Sequence, residues 1–205
     1  MTKTVSRLYD NYTEAQRAVT DLEAAGVPHS DISIVANNSD EWYGNDKISI
    51  VDRDHNGKDD RAEGARTGAG VGAGVGGATG LLTGLGLLAI PGVGPVVAAG
   101  WLVATAVGAV AGAATGGIVG GLTQMGVSKE DADIYAEGVR RGGTLVSARV
   151  EDAQASQFEA VLDRSAVNIQ ERGAAYRQSG WGSFDPAAKP YGADEVRKER
   201  QTYGS

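Results

Sequence analysis

The chain has no cysteine and two histidines among 205 residues. Disulfides, thiolate metal sites and thiol nucleophiles are therefore excluded. His29 sits in a turn and His55 in an acidic loop, and neither has a nucleophile or a ligand set near it in sequence. Concentrated positive charge is also lacking: the formal charge is −7, with lysines and arginines scattered among acids, which argues against a nucleic-acid partner. Charge of either sign is missing between Thr67 and Ser128, sixty-two residues without Asp, Glu, Lys, Arg or His. After Met1 the chain continues as a polar segment, so no secretory signal peptide is expected and a cytoplasmic start is the default.

Glycine fills that uncharged run. Twenty of the 31 glycines lie between Gly64 and Gly126. Gly64, Gly68, Gly72, Gly76, Gly80 and Gly84 stand four apart, and beyond Pro91-Gly-Val-Gly-Pro95 so do Gly108, Gly112, Gly116 and Gly120. Residues four apart share a helix face, so this spacing predicts a helical hairpin over 67–127 whose bare strips admit another backbone. A flexible linker would not carry Leu81, Leu82, Leu85, Leu87, Leu88 and Ile90. Ten glycines over 64–86 cost roughly 8–10 kcal/mol relative to alanine in a helix, so such a helix needs a partner to stand. Two environments supply one. A bilayer makes helix obligatory, and an oligomer offers close packing along the strip.

Length favours the bilayer. Thr67–Ile90 and Val96–Gln124 hold 24 and 29 residues, against about 20 for a span. Trp101 would suit an interface, and Arg66 and Lys129 flank the outer ends, which places both termini on the cytoplasmic face of the inner membrane. The partners expected are membrane lipid, itself as a homo-oligomer, or both. The runner-up is a soluble homo-oligomer with the hairpin buried between subunits.

Either side of the run the pattern is that of an ordinary folded domain. Val5, Arg7 and Tyr9 alternate in a strand over Thr4–Tyr9. Thr13-Glu-Ala-Gln16 has capping-box spacing ahead of a stripe of Ala15, Ala18, Val19 and Leu22. Gly26 and Pro28 end that helix, and Asp31–Ala36 reads as a second strand. Ser128-Lys-Glu-Asp131 starts a helix with Ala132, Tyr135, Ala136 and Val139 on one face. A strand over Thr144–Val150, a helix carrying Ala155, Phe158, Val161 and Leu162, and a short strand at Val167–Ile169 make a second unit. The fold class is α+β: two ferredoxin-like β-α-β halves, one at 1–38 and one with its connecting helix at 128–172, interrupted by the hairpin. Residues 173–205 turn to Gly, Pro, Ser and charge and are expected to be a disordered tail. Within it, a short helix over Ala193–Gln201 is an option, and Trp181, Phe184 and Tyr191 are a docking motif or isolated aromatics.

The loop over 39–66 contains Asp52, Asp54, Asn56, Gly57, Lys58, Asp60 and Glu63 at the spacing of a twelve-residue calcium loop. There the Lys58 carbonyl and five side chains would be ligands. Against calcium stand the preceding Ile48–Val51, which reads as a strand, Asp59 at an apolar position, and the lack of a second loop. A solvated acidic turn is the alternative; no other cofactor is expected. The dinucleotide reading of Gly68-Ala-Gly70-Val-Gly72 fails for want of a preceding strand and a following acid. No catalytic residue and no small-molecule substrate is evident.

Val5-Ser-Arg-Leu-Tyr-Asp10, Glu14-Ala-Gln-Arg-Ala-Val19 and Leu22 through Gly26 and Asp31 to Val35 resemble the heat-induced general stress protein (YflT-like) domain. The segments Tyr135–Val146 and Val161–Ile169 are similar too, so the resemblance covers most of 4–172. In that family a glycine zipper often follows the first β-α-β segment. The resemblance implies a non-enzymatic bacterial stress-response protein; its motifs are structural ones.

Overall fold

The computed structural model describes residues 2–43, 85–103 and 117–203. In chain order they form β1 (Thr2–Tyr9), α1 (Tyr12–Ala24), β2 (Ile32–Asn37), β3 (Gly86–Ile90), β4 (Gly94–Gly100), α2 (Gly117–Gln124), α3 (Lys129–Arg140), β5 (Thr144–Glu151), α4 (Ala155–Leu162), α5 (Ile169–Gln178) and α6 (Ala193–Tyr203). The five strands make one antiparallel sheet in the order β1-β5-β2-β4-β3. The α+β class is borne out.

β5 lies between β1 and β2, with Leu145 opposite both Leu8 and Val35. β1 and β2 are therefore parallel to each other and joined through α1, a split β-α-β unit. Both central strands are buried on both faces because helices cover each side. On one face α1 and α4 place Ala15, Ala18, Val19, Leu22, Phe158 and Leu162 against Ile32, Ile34 and Val146. On the other, α2 and α3 place Ile118, Leu122, Tyr135 and Val139 against Leu8, Val35 and Leu145. The stripes expected on α1, α3 and α4 are the ones that bury, apart from Val161, which is only partly covered.

One helix start differs from the expected one and another matches it. Asn11 rather than Thr13 caps α1, its side chain accepting from the Glu14 amide at 2.9 Å, so the helix begins earlier than the Thr13–Gln16 spacing suggests. Ser128 caps α3 as expected, accepting from the Asp131 amide at 3.1 Å.

The expected strand at Val167–Ile169 does not form. One backbone bond remains, the Val167 amide to the Leu8 carbonyl at 2.8 Å, and Asn168 then caps α5 by accepting from the Gln170 and Glu171 amides. Helix capping wins over strand pairing at this edge of β1. The sheet is completed on its other side by β3 and β4.

Those two strands correct the helical-hairpin expectation over 86–100, whereas Gly117–Gln124 is helical as expected. Gly86–Ile90 and Gly94–Gly100 are a β-hairpin, with Leu88 opposite Val96. Ile90-Pro91-Gly92-Val93 closes it: the Val93 amide bonds the Ile90 carbonyl at 3.1 Å, and Gly92 has φ +74°. Proline then glycine at the two central positions is the type II signature. Most of the four-residue glycine strip (Gly64, Gly68, Gly72, Gly76, Gly80, Gly84, Gly108, Gly112 and Gly116) lies outside the described residues. Gly120 is in α2 and buried.

The core also contains polar side chains that hydrogen-bond across the sheet. The Tyr9 hydroxyl donates to the Leu162 carbonyl at 2.9 Å, the Tyr135 hydroxyl donates to the Ser6 carbonyl at 2.6 Å, and Ser6 pairs with Ser147 at 2.9 Å. Burial raises both phenols, and Tyr135 is pushed up to about 12 with Arg7 opposing the shift. Tyr176 is likewise pushed up to about 12 by burial, against Arg172 and Arg141. These groups keep their proton when folded but lose it near pH 10 when unfolded, so their contribution to stability is intact below pH 10 and fades as pH rises toward 12. An alkaline titration is expected to show tyrosinate absorbance from these residues only as the fold is lost. Free ionisation of all seven tyrosines near pH 10, with circular dichroism unchanged, would contradict it.

Candidate functional site

The richest concentration of charged and aromatic groups among the described residues lies at one end of the sheet. There the β1–α1 loop, the segment after β2, the α3–β5 turn and the β3–β4 turn converge, and residues 169–203 lie across them. These residues correct the expectation of a disordered tail: α5 and α6 form, α6 over the stretch read as an optional helix. The Glu195 carboxylate accepts from the Gly192 amide at 2.8 Å at its start.

Each side chain at the seam is positioned by a helix end or a turn. Glu137, one turn before the end of α3, has no exposed surface. It accepts from Arg141 Nε at 2.6 Å and from Arg140 Nη1 at 3.2 Å, neighbours three and four residues on. Arg141 also pairs with Glu199 of α6 at 3.2 Å and lies 4.3 Å over the Tyr176 ring of α5. Burial acts to lower the Arg141 pKa, but the bond and charge of Glu137 outweigh it and the net direction is up. Arg140 lies 4.6 Å over Tyr191 and donates to the Lys189 carbonyl at 3.0 Å.

Two further pairs bind the same segment to the start of the chain. Arg172 grips Asp10 with two bonds, 2.7 and 2.9 Å, and lies 4.7 Å over Tyr203. Arg200 pairs with Asp40 and donates to the Gly142 carbonyl at 3.0 Å. The closest approaches fall on glycine. A Cβ on Gly142 would come within 2.7 Å of Val196, and one on Gly94 within 2.8 Å of Pro190. The seam leaves a void of about 10 Å³ beside Arg141, Tyr176 and Glu199, room for one water at most. A more open groove of about 460 Å³ runs alongside, lined by Asp10, Glu14, Asn168, Glu171 and Arg172. Its charged groups are largely paired already, Asp10 with Arg172 and Glu171 with Asn168.

The unit pinned by Asp10 and Asp40 is β1–α1–β2 with the short segment that follows. Residues 4–43 match the heat induced stress protein YflT domain. That YflT match suggests a general stress-response role. It runs from Thr4 in β1 through α1 and β2 and ends at Trp42 and Tyr43; the Trp42 ring lies 4.6 Å from that of Tyr12 and 5.8 Å from that of Tyr43. No curated protein and no solved structure matches the chain.

Of the residues singled out in the sequence, the calcium-loop set Asp52, Asp54, Asn56, Lys58, Asp60 and Glu63 lies outside the described residues. Among the described residues, no group of three or more His, Asp or Glu is placed to hold a metal ion, and no helix is long and apolar enough to cross a membrane. Trp101 is half-buried, donating to the Asp31 carbonyl at 3.2 Å with Arg149 5.3 Å over its ring. The seam residues Glu137, Arg141, Arg172, Tyr176, Glu199 and Arg200 were not singled out. The signals that would have found some of them are local: carboxylate and arginines three and four apart on α3, and capping residues at Asn168 and Glu195.

Proposed function

We propose that this is a non-enzymatic stress-response protein that associates with membrane lipid or with copies of itself through its uncharged glycine-rich segment. The observation carrying the stress-response part is the match of residues 4–43 to the heat induced stress domain. What supports the association part is the sixty-two-residue uncharged run, whose glycines have to be compensated by close contact.

Self-association gains weight from how the described part of the run behaves. α2 packs on α3, with Gly117, Gly120 and Gly121 buried, and Val93, Val96 and Val97 are fully buried. In these stretches the run packs against its own chain, so its small and apolar residues can be satisfied by protein contact. A cytoplasmic protein that attaches to the membrane face or assembles with itself accommodates both observations.

The test uses the full chain with Gly72→Leu and Gly76→Leu together. Both changes raise helix propensity and hydrophobicity but fill the strip. Wild type is expected to co-float with lipid vesicles or to sediment without detergent as a discrete oligomer, and the double variant to lose whichever is seen. Flotation identifies lipid as the partner, and a detergent-free oligomer identifies the second copy. A wild-type monomer that does not float, or a double variant that behaves as wild type, would overturn the reading.

A further inference from the structure

We propose that residues 169–203 are a charge-latched strap, released from the loop end of the sheet by ionic strength while the sheet stays folded. This inference stands apart from the glycine-rich segment and rests on how the strap is held.

The contacts crossing the seam are predominantly ionic. Arg172 with Asp10, Arg200 with Asp40 and Glu199 with Arg141 fasten the two ends, and Arg177 with Glu130 fastens the C-terminal end of α5. Apolar anchoring is limited: α5 buries Gly173 and Tyr176, α6 buries Val196 alone, and Ile169 and Phe184 are partly buried against the core. By comparison, α1 buries four side chains against the sheet. The charges are complementary overall. Residues 169–203 carry six Lys or Arg and five Asp or Glu, leaving −8 on the rest of the chain.

Such a latch responds to salt. The three end pairs keep only 10–31% of their side-chain surface in water and are screened little while closed, so salt acts on the open state. The screening length falls from about 10 Å at 0.1 M to about 3 Å at 1 M, and charges set free by opening are stabilised by the added ions. Release would expose Ile134, against which Gly173 packs, and Gly142 beneath α6. In the closed state that surface is withheld from partners. The glycines at the seat make the closed position specific, because Gly142 has φ +111° and no room for a Cβ.

Hydrogen–deuterium exchange on the full chain tests this, with β5 amides as the internal reference for global opening. Between 0.1 and 1 M NaCl, amides of α5 and α6 are expected to exchange about tenfold faster or more while β5 is unchanged. Sucrose of matched osmolarity, which favours the closed compact state, is expected to give no acceleration. Asp10→Asn with Asp40→Asn is expected to exchange in 0.1 M salt at near the wild-type rate in 1 M, with its salt response reduced. Strap exchange that ignores salt, that accelerates in step with β5, or that sucrose reproduces would overturn the latch. So would a double variant indistinguishable from wild type.

Discussion

Glu137→Ala is expected to destabilise the protein by about 3–5 kcal/mol, because it removes the buried carboxylate that two arginines share. Arg140 and Arg141 keep only 15% and 10% of their side-chain surface in water, so neither can recover its lost partner by hydration without leaving its ring contact. Glu199 still faces Arg141, but Arg140 has no carboxylate other than Glu137 among the described residues. Glu137→Gln keeps an acceptor and loses the charge, and is expected to fall between the alanine variant and wild type. Urea unfolding followed by circular dichroism reads both. An alanine variant within about 1 kcal/mol of wild type would mean that the arginines are not dependent on Glu137.

Gly100→Ala is expected to cost a similar amount, about 3–5 kcal/mol, for a different reason. Gly100 ends β4 at φ +94°, and a Cβ there would sit 2.2 Å from the Ile32 carbonyl oxygen and 2.7 Å from Ser33 Cα. Both obstacles are backbone of the central strand β2, so relief requires β4 to move off β2. Gly26 supplies the control. It has nearly the same φ, +98°, with nothing within 4 Å of the added Cβ. Gly26→Ala is expected to show the backbone penalty alone, roughly 1–2 kcal/mol. Equal losses for the two variants would show that the close approach of β4 to β2 carries no cost.

These two sites mark where the sequence was readable and where it was not. Glu137 and its arginines lie three and four apart on a helix whose cap at Ser128 and stripe through Val139 were plain. What stayed hidden was the partner across the seam: Glu199 is 58 residues away from Arg141, and ion pairs leave no periodicity. For the same reason residues 173–205 resembled a disordered tail, since a segment held by arginine and a few aromatics lacks the apolar stripe that marks a helix. At Gly100 the difficulty was different. Leu87 to Ile90 and Val96 to Ala99 are short apolar runs that fit helix or strand equally, and the four-residue glycine spacing on either side suggested helix throughout. The deciding signal was Pro91-Gly92, which reads as a break in a helix but serves as the turn of a hairpin. Strands β1, β2 and β5 were legible because each is bounded by turn or capping residues and lies outside the glycine bias.

The β3–β4 hairpin also restricts where the uncharged run can travel. It fastens the middle of the run to β2, so the ends of residues 44–84 are set by Tyr43 and Leu85, and Leu102 and Ile118, near the ends of residues 104–116, are both buried in the core. A there-and-back passage through a bilayer takes about 40 uncharged residues. The first excursion has eighteen after Arg66, and the second is only thirteen residues long. Neither is a round trip. Full insertion would therefore require β3 and β4 to peel from β2, exposing the row from Ser33 to Asn37 that now pairs with β4. Under the proposed lipid association, a full crossing that drew on the residues of β3 and β4 would cost the pairing of β4 with β2.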